Sequence, residues 1–180
     1  GDGVERTPVT MASGSATFSQ WAIGAVASTE WPSGGYKAEA ATGPPDVWPD
    51  YGDILGAWNI YGTTHGEVAG EDGDIPFVDQ TLTVEIDKPV YAQRISVYEV
   101  WHPGFIVEVL ARDYDEGDDA PWKSIWRRLA PSRAVAWDEE FANVEDIFVC
   151  STNFRSKFFK LIIKLESDMH WYTVDAVDVS

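Results

Sequence analysis

The 180-residue chain has one cysteine, Cys150, and so cannot form an intrachain disulfide. The secreted disulfide-scaffold class is thereby excluded, although a chain of this length can be stable without such staples in any compartment. Positive charge is also scarce: 13 Lys and Arg stand against 30 Asp and Glu, a formal net charge of -17. Such a surface repels phosphate backbones and anionic headgroups, so nucleic acid is not an expected partner. It suits neutral ligands, basic proteins or divalent cations, unless the acidity serves solubility alone. There is no apolar run of 18 residues and no charged-then-apolar leader, so membrane insertion is not expected either. Beginning at Gly1 without a Met, the sequence reads as a mature or trimmed soluble product.

Catalytic machinery is missing as well. The three histidines, His65, His102 and His170, lie in no metal-binding spacing, and no Gly-x-Ser-x-Gly elbow or phosphate-binding loop occurs. Ser28, Asp53 and His102 are too common as residue types to argue a triad. The chain is not expected to be an enzyme.

What is present is apolar and aromatic. Hydrophobic residues make up 44% and aromatics 13%, with nine Trp, which places the chain among globular proteins with a real core. One domain is expected over residues 20–180, preceded by a small, polar N-terminal arm at 1–19. The residues 43–53, GPPDVWPDYGD, put three prolines, three acids, a Trp and a Tyr into eleven positions. Pro44, Pro45 and Pro49 forbid a helix interior or a central strand, so this stretch is irregular but stiff, and it displays Trp48 and Tyr51 from a loop.

The second half is written in strands. TLTVEI alternates strictly, with Leu82, Val84 and Ile86 on one face, and QRISVYEV repeats the period with Ile95 and Val97 inward. FIVEVLAR, WKSIWRR, RAVAWDE, FFKLIIKL and TVDAVDVS follow, while WAIGAVAS reads as a first strand and YKAEAA as one helical turn. Short strands, turn signals and almost no helix predict an all-β antiparallel sandwich or barrel. TLTVEI and QRISVYE, joined by DKPVYA, are expected to form an antiparallel hairpin. That places the proline-rich loop and VWHPG at one rim and the acidic DYDEGDDAP at the opposite end. DYDEGDDAPWKS is not an EF-hand loop, because Gly falls at its fifth position and Ser124 at its twelfth.

Five segments carry a resemblance. WAIGAVAST, YKAEAATGPPDVWPDYGDILGAW, DKPVYAQRISVYEVWHPGFIVEVL, WKSIW and CSTNFRSKFFKLIIKLESDMHWYTVDAVDV together resemble, in order, a discoidin-like branch of the galactose-binding-like jelly rolls (the F5/8 type C superfamily). This branch is found in pappalysin-type metalloproteases and in an F-box leucine-rich-repeat protein. The resemblance spans about residues 20–179 and implies a jelly-roll β-sandwich. It also implies that residues 28–36 and 167–172 join the rim. Trp101 and His102 stand where the branch has Thr-Tyr-Asn or Thr-Phe-Asn. Folds of this superfamily carry carbohydrate-binding modules, lectins, phospholipid-binding domains and protein-docking modules, so the fold does not fix the ligand.

By the same resemblance, a structural Ca²⁺ pins the loop after the first strand to the last strand, the counterparts here being Asp46 or Asp53 with Asp175 or Asp178. The alternative is that Asp53 caps a turn and Asp175 pairs with a base. For ligand binding, the rim offers Trp48, Tyr51, Asp53, Trp101, His102 and Trp171, with Trp31, Asp50 and Tyr172 nearby in sequence. A sugar stacks its C–H face on a ring while acids and imidazoles bond its hydroxyls. Alternatively some of these rings fold inward and pin the loop. The expected function is a secreted or cell-surface, lectin-like module that recognises a glycan or glycoprotein. The rival is a protein-docking or assembly module that uses the same rings as anchors.

Overall fold

The computed structural model describes residues 18–31, 34–60, 79–131, 141–150, 152–164 and 172–180. Ten strands are found among them: β1 (Gln20–Trp21), β2 (Gly24–Ala27), β3 (Trp58–Asn59), β4 (Gln80–Val90), β5 (Arg94–Trp101), β6 (Ile106–Arg112), β7 (Trp122–Arg127), β8 (Asn143–Phe148), β9 (Ser156–Ile163) and β10 (Thr173–Val179). Helix is limited to short 3-10 turns, including Ala38–Ala41 within YKAEAA. No helix among the described residues is long and apolar enough to cross a membrane.

Two antiparallel sheets face each other. One runs β1-β10-β5-β8, with β3 also pairing β10, and the other runs β2-β4-β9-β6-β7. The period-two pattern explains the core between them. Leu82, Val84 and Ile86 of β4, Ile95 and Val97 of β5, and Phe159, Leu161 and Ile163 of β9 are all fully buried, while Lys160 stays on the outer face. Trp58 and Tyr172 close the core as its largest side chains, edge to face at 6.4 Å.

Two expectations change. WAIGAVAS is not one strand, because β1 joins one sheet and β2 the other. TLTVEI and QRISVYE are not a hairpin. β4 pairs with β2 and β9, and β5 pairs with β10 and β8, so the DKPVYA connection crosses from one sheet to the other. Both strands are buried on a core-facing side, and a jelly roll pairs them across the sandwich instead of side by side. The chain still reverses there, so the inference about the two ends holds. β8, within NVEDIF, has two acids at its centre and little alternation, and sequence pattern does not mark it. RAVAWDE lies outside the described residues apart from its surroundings.

The irregular loop is stiff and packed. Val47, Ile54 and Ala57 cover Val100 on the outer face of the β5 sheet, forming a second small apolar cluster. Gly52 N–H donates to Val100 O (2.9 Å), which ties the loop to the end of β5.

Candidate functional site

The rim begins where β5 ends. Trp101 pairs with Thr173 at the last position of the β5–β10 ladder, and the chain then turns through His102, Pro103 and Gly104 into Phe105 and β6. His102 has φ 49°, the one non-glycine residue with positive φ among the described residues, and Gly104 has φ 99°. The imidazole stacks on the Trp101 indole (5.1 Å between centroids, 23° between planes) and meets Tyr51 edge-on at 6.5 Å. Trp101, His102 and Tyr51 are all half-buried. Three of the expected ligand-binding residues are thus brought together by two separate loops.

The others are placed differently. Trp48, 36% exposed, lies edge-on against Tyr98 at 5.6 Å, and Tyr98 in turn contacts Trp21 at 5.4 Å, so this ring rests on the middle of β5 with part of its surface open to solvent. Asp53 is exposed, accepts from Asn59 Nδ2 (3.5 Å), and hydrogen-bonds the Tyr36 hydroxyl. Trp171 lies outside the described residues, as do His65 and His170. Tyr172 is a correction: its ring is fully buried and its hydroxyl points into the sandwich, so it cannot stack on a ligand at the rim.

Asp175 also has a different role from a simple ion pair. Its Oδ2 accepts the N–H groups of Val47 (3.1 Å) and Trp48 (2.7 Å), and its Oδ1 that of Asp46 (3.4 Å). A buried carboxylate on β10 therefore anchors the loop directly through its amides. Burial raises the Asp175 pKa against those three hydrogen bonds, and the hydrogen bond with the Asp46 carboxyl raises it further. Asp178 accepts from the Ser19 hydroxyl and faces Arg94 at 4.0 Å. Of the four acids expected around calcium, Asp46 and Asp175 meet. No group of three or more ligating side chains occurs among the described residues.

Beneath the rim lies a polar cluster that the motif reading missed. Glu99 is fully buried. Its Oε1 accepts the Gly104 N–H (2.9 Å) and the Tyr172 hydroxyl (2.8 Å), and its Oε2 accepts from Asn143 Nδ2 (3.4 Å). Arg128 bonds Glu145 through both Nη1 (2.6 Å) and Nη2 (3.3 Å), and the same Nη2 donates to Gly104 O (2.9 Å). Burial, with the charge of Glu145 added, pushes the Glu99 carboxyl up to about 8, against the hydrogen bonds from Gly104, Tyr172 and Asn143. Burial likewise raises Glu145, opposed by Arg128. Burial and the nearby Glu99 raise Tyr172 well above its usual value.

Away from the rim, an open depression of about 400 Å³ runs along the outer side of β2, lined by Ile23, Val26, Glu39, Thr83, Glu85 and Phe158. It contains none of the expected site residues.

No protein-family profile matches the sequence, and no curated relative matches it. Solved structures do resemble it. The family 32 carbohydrate-binding module of C. perfringens NanJ, solved in complex with galactose, aligns with a TM-score of 0.57 at 15% identity, over 90% of this chain and 98% of that one. Chitosan-binding module 1 of a chitosanase/glucanase from Paenibacillus sp. IK-5 aligns with a TM-score of 0.56 at 13% identity, over 87% and 93%. A pectin-binding carbohydrate-binding module gives 0.56 at 13%, over 89% and 91%. At these identities the likeness is one of fold, an antiparallel jelly-roll β-sandwich.

Proposed function

We propose that this domain is a non-catalytic carbohydrate-binding module, extracellular in its working place, which takes a glycan at the rim formed by Trp101, His102 and Tyr51. The observation that carries the reading is the three-ring cluster itself. Two loops from different parts of the chain converge to set an indole, an imidazole and a phenol at one end of the sandwich. Rings of this kind offer a sugar both a stacking face and polar tips, and rim loops on a rigid β scaffold are where binding residues concentrate. The similar modules bound to galactose or named for chitosan and pectin support a saccharide as the ligand class. The chemistry of the rim favours a neutral or cationic sugar over an anionic one, because the whole chain carries -17.

The test is a calorimetric titration with galactose and chitotriose, followed by a glycan array, on the intact chain and on Trp101→Ala. Binding by the intact chain that Trp101→Ala loses while remaining folded is the expected result. No saccharide binding by the intact chain, with capture of a protein partner that Trp101→Ala abolishes, would replace this reading with a protein-docking module.

A further inference from the structure

The segment Trp101–Gly104 is short and held at both ends. Trp101 is fixed by its pairing with Thr173. Both backbone groups of Gly104 are held from below: its N–H by Glu99 (2.9 Å) and its C=O by Arg128 (2.9 Å). Pro103 has its own φ locked by the ring. His102 alone is left to complete the path, and it does so at φ 49°, a region that non-glycine residues occupy when their surroundings require it. The left-handed turn brings the imidazole onto Trp101 and against Tyr51.

We propose that Glu99 and Arg128 are positioning residues of the rim: by gripping Gly104 they hold His102 and the Trp101 indole in the arrangement that meets a sugar. This rests on the reading of the rim as a saccharide site. The groups facing Glu99 come from every neighbouring element: Gly104 N–H from the rim loop, the Tyr172 hydroxyl from the entrance to β10, Asn143 and Glu145 from β8, and Arg128, bound to Glu145, from the chain leaving β7. With its proton, Glu99 is a neutral acid suited to a dry interior. Without it, a second carboxylate charge sits beside Glu145 with one guanidinium between the two functions, and the ionised oxygens accept more strongly from the Gly104 N–H, the Tyr172 hydroxyl and Asn143, so the grip on Gly104 tightens as the proton leaves.

The test follows the Gly104 amide and the Trp101 indole N–H by NMR on the full chain, together with galactose and chitotriose affinity, from about pH 6 to about pH 9. The Gly104 amide should titrate with a midpoint near 8, as for the Glu99 carboxyl. The Trp101 indole should move with the same midpoint, and Kd should fall about fivefold or more across it as the grip on Gly104 tightens. Glu99→Gln, which keeps the shape and an acceptor without the ionisation, should remain folded and flatten all three curves. Arg128→Lys, which loses the fork, should displace the indole signal at every pH. A flat Gly104 amide, or a Gly104 titration that the indole does not follow, overturns the proposal, as does a wild-type pH profile in Glu99→Gln. If neither sugar binds at any pH, the saccharide reading fails and the affinity link with it, while the two N–H signals still decide whether Glu99 positions the loop.

Discussion

The two ends of the sandwich contain the same kinds of residue and use them in opposite ways. At the far end, the acidic turn after β6 carries its charges on the surface: Asp115 pairs with Arg155, with side chains 59% and 40% exposed, and Glu116 pairs with Lys123. Its rings are covered by cations. Arg112 and Lys160 both sit over Trp122, at 4.4 and 4.3 Å, Lys123 sits over Phe154, and Arg155 over Tyr114. At the rim, the rings of Trp101, His102 and Tyr51 contact one another, and the paired charges of Glu145 and Arg128 lie beneath them with Glu99, while Asp50 and Asp53 stand exposed on the neighbouring loop. An acidic, aromatic loop is therefore a surface closure at one end and the proposed ligand platform at the other. The location of the charges, not their number, separates the two.

The sharpest way to break the comparison is to remove the interior acid. Glu99→Leu leaves the Gly104 N–H and the Tyr172 hydroxyl buried without their acceptor, a loss on the order of 2–4 kcal/mol of stability in urea denaturation. A change no larger than that of a surface substitution would show that the cluster does not hold the rim. Trp101→Ala comes next: it should weaken saccharide binding by about 2 kcal/mol or more, roughly thirtyfold in Kd, with a small effect on melting temperature because the ring is half-buried. Trp122→Ala at the far end is the matched control and should leave Kd unchanged.

Smaller effects follow from the two remaining carboxylates. Asp175→Asn keeps the size of the group but exchanges one acceptor for an NH₂ that faces the Val47 and Trp48 amides or the Asp46 carboxyl, costing about 1–2 kcal/mol. Calcium held between the Asp46 and Asp175 carboxyls, as the resemblance implies, is tested by melting the intact chain in millimolar calcium and in chelator: a rise with calcium supports it, and an unchanged melting temperature counts against it. Smallest of all, Asp115→Ala should produce no measurable shift in melting temperature, since the Asp115–Arg155 pair is exposed and such pairs contribute little and are screened by salt.

The pH dependence of stability sharpens the same contrast. The folded value of Glu99 is raised to about 8 from an ordinary value of 4.5. A carboxyl raised in this way takes up protons in the folded state that the unfolded chain releases, so its contribution is fully present below about pH 4.5 and is lost as pH rises through 8. Urea midpoints should fall between about pH 6 and about pH 9 in the intact chain, and less so in Glu99→Gln. An equal fall in both would assign the effect to other groups.

Much of this was legible in the sequence. Alternation gave the inward faces of β4, β5 and β9, and prolines gave the irregular loop, because both depend on local geometry. Strand partnership was not legible, since consecutive strands in a jelly roll pair across the sandwich and the DKPVYA connection looks like a hairpin turn in isolation. Trp48 and Tyr172 could not be sorted from Trp101 by residue type, as all three stand beside turn signals and differ in what lies opposite them. Glu99 left a signal that went unused: it continues the inward parity of Ile95 and Val97, and a charged residue at a core-facing position of an alternating strand marks a buried polar network. Arg128 and Glu145, its partners in space, are 29 and 46 positions away along the chain by their residue numbers, and only the fold brings them together.

In the proposed function the rim end, and not the far end, receives the saccharide. Titrating the intact chain with galactose or chitotriose while recording backbone and indole N–H signals tests it directly. The predicted result is saturable shifts confined to Trp101, His102, Gly104 and Tyr51, with Tyr114, Trp122 and Arg155 unmoved. Shifts that cluster around Tyr114 and Trp122, or along the β2 depression at Val26 and Phe158, with a silent Trp101 indole, would contradict it.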